Sequence, residues 1–478
     1  MARNSGMYDL AVIGGGAGGL VAASGAAQLG GRVALVEKEN TLGGDCLHFG
    51  CVPTKSLVYT ARVLSLVRRS EEFGLGAVQI SDDLFEGAMA RMRRMVERVG
   101  EHDDPKRFEG MGITLYFGDG RFLDPETFEV GGRRVRSRRF VLATGSRPIG
   151  LPIPGLKEAG YLTNVTALRL QRRPASMAIL GAGPIGMEFA QIFHRLGVKI
   201  TVIEKMAQLL PREEREVAET LENILREEGI EIITSAEVRE VRKEGGQKIV
   251  IAAGREGMRR IVVEEILAAV GRAPNVEGLN LEAAGVAYDQ KGVRVDRTLR
   301  TTARRIWACG DVAGPYPFTH MAEYQAGIVV SNALFPFVRR KADYRVVPWV
   351  TFTDPEVARV GLTEAEAAKR AGKIHVYRFP FKQVDRAIIE GEEKGFIKLI
   401  TDARLRILGA HLIGPNAGDI LHEYVLAMKA NLKITRLSTT IHVYPTLSQG
   451  VKKAADQYYR EKLFSGWFPK LAKLLIRF

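Results

Sequence analysis

In YDLAVIGGGAGGLVAASGAAQLGGRVALVEKE, apolar positions form a short continuous block, then a glycine cluster, an alanine-rich stretch and a second apolar block that ends in an acid. The pattern predicts a buried strand, a tight turn, a helix and a second strand. The same order returns in SMAILGAGPIGMEFAQIFHRLGVKITVIEK, so the chain contains two similar halves. From about Val346 the pattern changes. VPWVTFTDPEVARVGLTEAEA and GFIKLITDARLRILGAHLIG are strand-like and AGDILHEYVLAMKANLK is helical, which predicts an antiparallel sheet with helices and no dinucleotide motif. No run reaches the roughly eighteen apolar residues that a spanning helix needs.

The glycine clusters carry the first chemistry. Gly14, Gly16 and Gly19 give G-x-G-x-x-G, and Glu37 closes the following strand. Gly181, Gly183 and Gly186 repeat the motif, with Glu204 at the same offset. Such glycines make a tight turn, let backbone N–H groups approach a pyrophosphate, and allow close packing of helix on strand. The acid suits ribose hydroxyls. Two complete fingerprints imply two dinucleotides. A carboxylate accepts from a ribose 2′-OH and repels a 2′-phosphate, so Glu204 favours NADH over NADPH.

Composition narrows the class. At 46% hydrophobic and 26% charged over 478 residues, the chain reads as globular and as long enough for several domains. The net charge of +14 would permit contact with nucleic acid or anionic lipid, but basic residues are interspersed with acids, as in REEREVAETLENILREEGIE. These are solvated helix faces, and no nucleic-acid partner is expected. No apolar signal core precedes the first strand, so a cytoplasmic protein is expected.

Two of the three cysteines, Cys46 and Cys51, lie in GGDCLHFGCVPTK. A reducing cytosol would not keep a structural bridge closed. A structural zinc site wants four ligands, and no Cys/His cluster accompanies the pair, so no resident metal is expected. Two soft thiolates would hold mercury or copper(I) only transiently. A redox disulfide close to a flavin is the economical reading. With Gly43 and Gly44 ahead, the pair is expected to span the first turn of a helix whose dipole favours a thiolate, with Asp45 working against it. Cys309 reads as a small buried hydrophobe.

The Cys-x4-Cys-Val-Pro-Thr-Lys segment, the paired fingerprints and the C-terminal layout resemble the flavin-dependent pyridine nucleotide–disulfide oxidoreductases, which include dihydrolipoamide dehydrogenase, glutathione reductase and mercuric reductase. The likeness covers about residues 7 to 465. It implies that Gly14, Gly16, Gly19 and Glu37 contact FAD, that Cys46 is the thiol exchanging with substrate, and that Cys51 is the inner thiol in charge-transfer contact with the flavin. It also implies that Lys55 lies near flavin N5 and pairs with Glu188. Thr144 and Gly145, in ATGSRP, match the segment that returns past FAD, and Asp311, in CGDV, matches the acid on the ribityl chain. Gly181, Gly183, Gly186, Glu204 and Gly271 fall to NAD(P)H.

The resemblance also has departures. Dithiol-exchanging members carry His-Pro-Thr-Leu-x-Glu near the C-terminus, reaching across the dimer. Here IHVYPTLSQG puts Tyr444 in the histidine position and Gln449 in that of the glutamate. A phenol titrates near ~10 and is a poor base at neutral pH, which leaves His442, two residues upstream, as the candidate. Mercuric reductases also place a tyrosine there, where it would orient a soft metal. The sequence opens at the flavin strand and ends LLIRF, so neither their terminal vicinal cysteines nor their metal-binding domain is expected here.

The expected fold is α/β: two Rossmann-like dinucleotide-binding domains plus a C-terminal α+β dimerisation domain. FAD takes residues 1–150 and 272–344, NAD(P) takes 151–271, and 345–465 form the homodimer interface. Residues 466–478, GWFPKLAKLLIRF, form a basic amphipathic tail suited to peripheral membrane contact. The expected activity is NAD(P)H-dependent reduction of a small thiol-reactive substrate, Hg(II) or a disulfide. Dihydrolipoamide dehydrogenase is the enzymatic alternative, and a flavin-bearing binding protein with a vestigial site is the alternative of another class.

Overall fold

The computed structural model describes residues 6–255, 257–335, 337–464 and 468–476. Its first sheet has five parallel strands in the order Ile306–Ala308, Phe140–Leu142, Leu10–Ile13, Val33–Glu37 and Thr114–Phe117. Leu10–Ile13 is buried along its whole length, as a central parallel strand covered on both faces must be. The helix Ala17–Gln28 is rich in glycine and alanine because it is wedged between this sheet and the helix Thr319–Leu334. A Cβ on Gly18 would lie 3.3 Å from Ala322 Cβ.

The second half repeats the plan. Glu231–Ile233, Lys199–Ile203, Ser176–Leu180 and Glu265–Ala268 form a parallel sheet in that order. Each half also carries a three-stranded antiparallel meander: Gly120–Asp124, Thr127–Val130 and Arg133–Arg136 in the first, Glu237–Glu244, Gln247–Gly254 and Gly257–Val263 in the second. The third region is an antiparallel sheet ordered Pro348–Thr351, Glu356–Gly361, Ile407–Gly414, Phe396–Asp402 and Ile374–Pro380. Helices Ala417–Lys429 and Gln449–Phe464 pack on it, with Tyr424 and Val451 buried between. The expected α/β class with two Rossmann-like sheets and a C-terminal α+β unit is the observed one.

The helix Cys51–Arg68 ties these parts together. It packs on Leu84–Gly100 and on Pro184–Arg195 of the second half, burying Leu57 and Leu64 in a core shared with Met187 and Phe189. Its N-terminus is thereby fixed between the two halves. Among the described residues no helix is long and apolar enough to cross a membrane. Of the tail, residues 466, 467, 477 and 478 lie outside the described ones.

Candidate active site

One cleft of about 2890 Å³ runs between the three regions, and Glu37, Cys46, Cys51, Glu204 and Asp311 all line it. Both glycine turns open into it. Gly14 sits at φ +111°, where a side chain is strained, and a Cβ there would stand 2.3 Å from Ala143 O. The Glu37 carboxylate accepts from the N–H groups of Gly15 (2.6 Å) and Glu39 (3.0 Å). In the second turn the buried Glu204 accepts likewise from Ala182 (2.6 Å) and Met206 (2.7 Å). Each acid is thus held between the glycine turn of the preceding strand and the backbone two residues beyond itself.

Space at the turns fits two dinucleotides. Gly16 and Gly183 precede their helices with extended backbone and line the cleft. A Cβ on Gly183 would meet nothing within 4 Å, and one on Gly16 would find only Gly44 Cα, at 3.7 Å. That is room a side chain would take from a ligand's phosphates. Gly19 and Gly186 are closed instead: their Cβ atoms would fall 1.8 and 2.0 Å from the carbonyls of Gly14 and Gly181. Beside Glu204, Lys205 is drawn away to Glu237 (2.7 Å), which also pairs with Arg239 (2.8 Å).

On the first side of the cleft, Thr144 donates to Asn275 O (2.7 Å), fixing the loop that carries Gly145 (φ +69°). Ser146 donates to Asp311, whose carboxyl burial pushes up in pKa. Gly271, at φ +145°, lines the same cleft.

The cysteines occupy two helices rather than one turn of a single helix. Cys46 lies in Gly44–His48, which closes with Phe49 N–H donating to Asp45 O (2.8 Å), and Cys51 opens Cys51–Arg68. Gly50 forms the break between them, with a Cβ there meeting Asp45 O at 3.0 Å. Both thiols are free in this structure. Cys46 shares a hydrogen bond with Cys51, and this bond, helped by Thr319 and the Lys55 charge, lowers the Cys51 thiol to about 6. The same bond, then burial, raises Cys46. Asp45, expected to oppose a thiolate, is paired with Arg272 at 3.1 Å.

Lys55 Nζ lies 2.7 Å from Glu188, whose side chain is only 6% exposed. The other Glu188 oxygen accepts from Phe352 N–H (3.0 Å), and Lys55 stands over the Phe352 ring at 4.6 Å. Thr319, 3.2 Å from Cys51 Sγ, carries no signal in the sequence, and neither do Phe352 and Arg272. Each approaches from a distant segment, and no local pattern marks it.

His442 and Tyr444 are not among the described residues lining this cleft. His442 is held by Glu423 at Nε2 (2.9 Å) and by Thr440 O at Nδ1 (3.0 Å). Gln449 donates to His442 O at 2.9 Å. Tyr444 stands 68% exposed beside Ile441, which is 96% exposed. Among the described residues no three His, Cys, Asp or Glu side chains gather as a metal site.

The chain is similar to known proteins. Residues 8–326 match the family described as pyridine nucleotide-disulphide oxidoreductase, and residues 347–455 match its dimerisation domain. A mercuric reductase of Staphylococcus aureus is 35% identical over 464 residues, covering 95% of this chain and 83% of that one. A dihydrolipoyl dehydrogenase of Thermus scotoductus is 37% identical over 468 residues, covering 95% and 98%. The solved HOCl-induced flavoprotein disulfide reductase RclA of Escherichia coli superposes with a TM-score of 0.85 at 30% identity, covering 94% of this chain and 99% of that one; it is also known as a Cu(II) complex. The two family matches span most of the chain, and the relatives align along nearly its whole length: this chain belongs to the pyridine nucleotide-disulphide oxidoreductase family.

Proposed function

We propose that the protein is a homodimeric, NAD(P)H-dependent flavoenzyme that reduces a small thiol-reactive substrate through Cys46 and Cys51, with Hg(II) first and a disulfide second. The observation that carries this reading is the thiol pair in the one cleft into which both dinucleotide turns open, with the proton biased onto Cys46. Residues 1–150 with 272–344 hold FAD, 151–271 hold the nicotinamide nucleotide, and 345–465 form the interface. Glu204, locked by two N–H groups, favours NADH, and Glu237 keeps Lys205 from serving a 2′-phosphate.

FAD, when bound, would supply two-electron transfer between nicotinamide and disulfide. The chain's residues do the rest. Closing the circuit needs two electrons and one proton at the Cys46–Cys51 disulfide, leaving Cys46 as thiol and Cys51 as thiolate. Lys55, charged and fixed by Glu188, stabilises that thiolate. Cys46 then exchanges with a disulfide or, with Cys51, binds Hg(II). For the metal the balance is NADH + Hg(II) giving NAD⁺, Hg(0) and H⁺. No residue need act as a strong base in that reaction, which suits Tyr444, whose phenol Asp385 pushes up in pKa. His442, with both ring nitrogens engaged, is poorly placed to replace it, and this disfavours dihydrolipoamide turnover.

The test is anaerobic titration of the yellow holoenzyme with NADH, followed by Hg(II), Cu(II) or lipoamide. A long-wavelength thiolate–flavin band is expected to appear in wild type on adding NADH and to be discharged by Hg(II); in Cys46→Ser, which has no disulfide to take the electrons, it should be present before NADH and bleach with the flavin, and in Cys51→Ser it should be absent throughout. Discharge by lipoamide alone would select the dehydrogenase. Failure of NADH to bleach the flavin would leave only a flavin-bearing binding protein.

A further inference from the structure

The helix Gln449–Phe464 runs beyond the domain it packs on. Val451, Ala454 and Ala455 are buried, whereas Phe464 at its far end is exposed. The match to the dimerisation domain ends at residue 455. A further helix, Phe468–Leu475, touches the one before it, and its Leu471, Leu474 and Leu475 are exposed. Leu471, Leu474 and Leu475 recur at i, i+3 and i+4, and Leu475 and Ile476 are 62% and 83% exposed. Lys473 is exposed on the other side.

Charge selects the partner. From Lys462 to Phe478 the sequence holds Lys462, Lys470, Lys473 and Arg477 and neither Asp nor Glu. Four cations with no acidic side chain among them disfavour pairing with a second copy of the same segment, and they attract a surface of lipid phosphates. The helix is far shorter than the roughly 20 residues needed to cross a bilayer, so it can only lie in the interface.

We propose that Phe468–Leu475 is a docking surface for an anionic lipid bilayer, its leucines entering the acyl boundary and the flanking cations meeting headgroups. The site lies apart from the cleft and does not depend on the substrate chosen there.

The test is co-sedimentation of the full-length holoenzyme with vesicles of phosphatidylcholine alone or mixed with phosphatidylglycerol. Binding is expected with the anionic vesicles and should weaken as salt rises. Leu474→Ser combined with Leu475→Ser should lower it at least about tenfold, and so should Lys462→Glu with Lys473→Glu. Flavin content and bleaching by NADH should stay at wild-type levels in both variants, showing that the fold survives. Absence of binding to anionic vesicles, or binding unchanged in both variants, would overturn the proposal. So would a change of oligomeric state caused by the serine pair, since it would place the helix on another copy of the chain.

Discussion

Cys46 and Cys51 hold one readily shared proton, and their surroundings decide which sulfur loses the other. Cys51 receives the Cys46 hydrogen bond, the Thr319 hydroxyl and the Lys55 charge, and so it is the thiolate above about 6 and the thiol below. The thiolate–flavin band of the reduced holoenzyme should therefore be present at neutral pH and vanish as pH falls through that value. Thr319→Val removes one donor, and the midpoint should move upward by up to about one pH unit, as read by a spectroscopic titration. Glu204 makes a parallel case. Replacing it with alanine removes the partner of two N–H groups and, on the proposed reading, of the ribose, so KM for NADH should rise about tenfold or more while discrimination against NADPH shrinks. Steady-state kinetics with both nucleotides measures it.

The turn-and-helix unit recurs, and its two copies can be broken separately. A methyl at Gly19 would collide with the carbonyl of Gly14, and one at Gly186 with that of Gly181. Neither contact can relax without opening the turn. Gly19→Ala should purify with little or no flavin, seen as a lost visible absorbance. Gly186→Ala should remain yellow and fail to bleach at NADH concentrations that reduce wild type. The helix Cys51–Arg68 shows the same economy: Cys51 and Lys55 lie one turn apart on one face, so the thiolate and its cation are delivered together. Cys46 belongs to another helix, and only the break at Gly50 brings it back to its partner.

Ion pairs join the second half to the antiparallel region. Lys398 of the antiparallel sheet, 5% exposed, meets Glu214 (3.1 Å) and Glu216 (2.8 Å) of the second half and Glu364 (2.7 Å) of its own region. Arg195 likewise pairs with Glu228 (2.8 Å) and Asp354 (2.7 Å). On the opposite account stands an uncovered apolar edge: Ile441, Val443 and Tyr444 protrude from the region that matches the dimerisation domain. A homodimer covers such a surface. Val443→Asp should shift the protein to a monomer by size-exclusion chromatography and lower substrate turnover at least about tenfold, while NADH still bleaches the flavin.

Some of this was written in the residues themselves. The glycine turns, their terminal acids and the close cysteine pair are local patterns, because a tight turn, a ribose contact and a short thiol loop are satisfied within a few dozen residues. The change to an antiparallel region near Val346 was legible for the same reason, since strand period is a local property. Lys55 and Glu188, 2.7 Å apart across the two halves, could be paired from the sequence only through family resemblance. Thr319 beside Cys51, Arg272 on Asp45, and the engagement of both His442 nitrogens had no signal in the sequence, because each depends on where separate helices and sheets come to rest. The order of the residues determined which chemistry the protein carries; the packing of its three regions decided which sulfur bears the charge, since hydrogen bonds and Coulomb forces act across space and not along the chain.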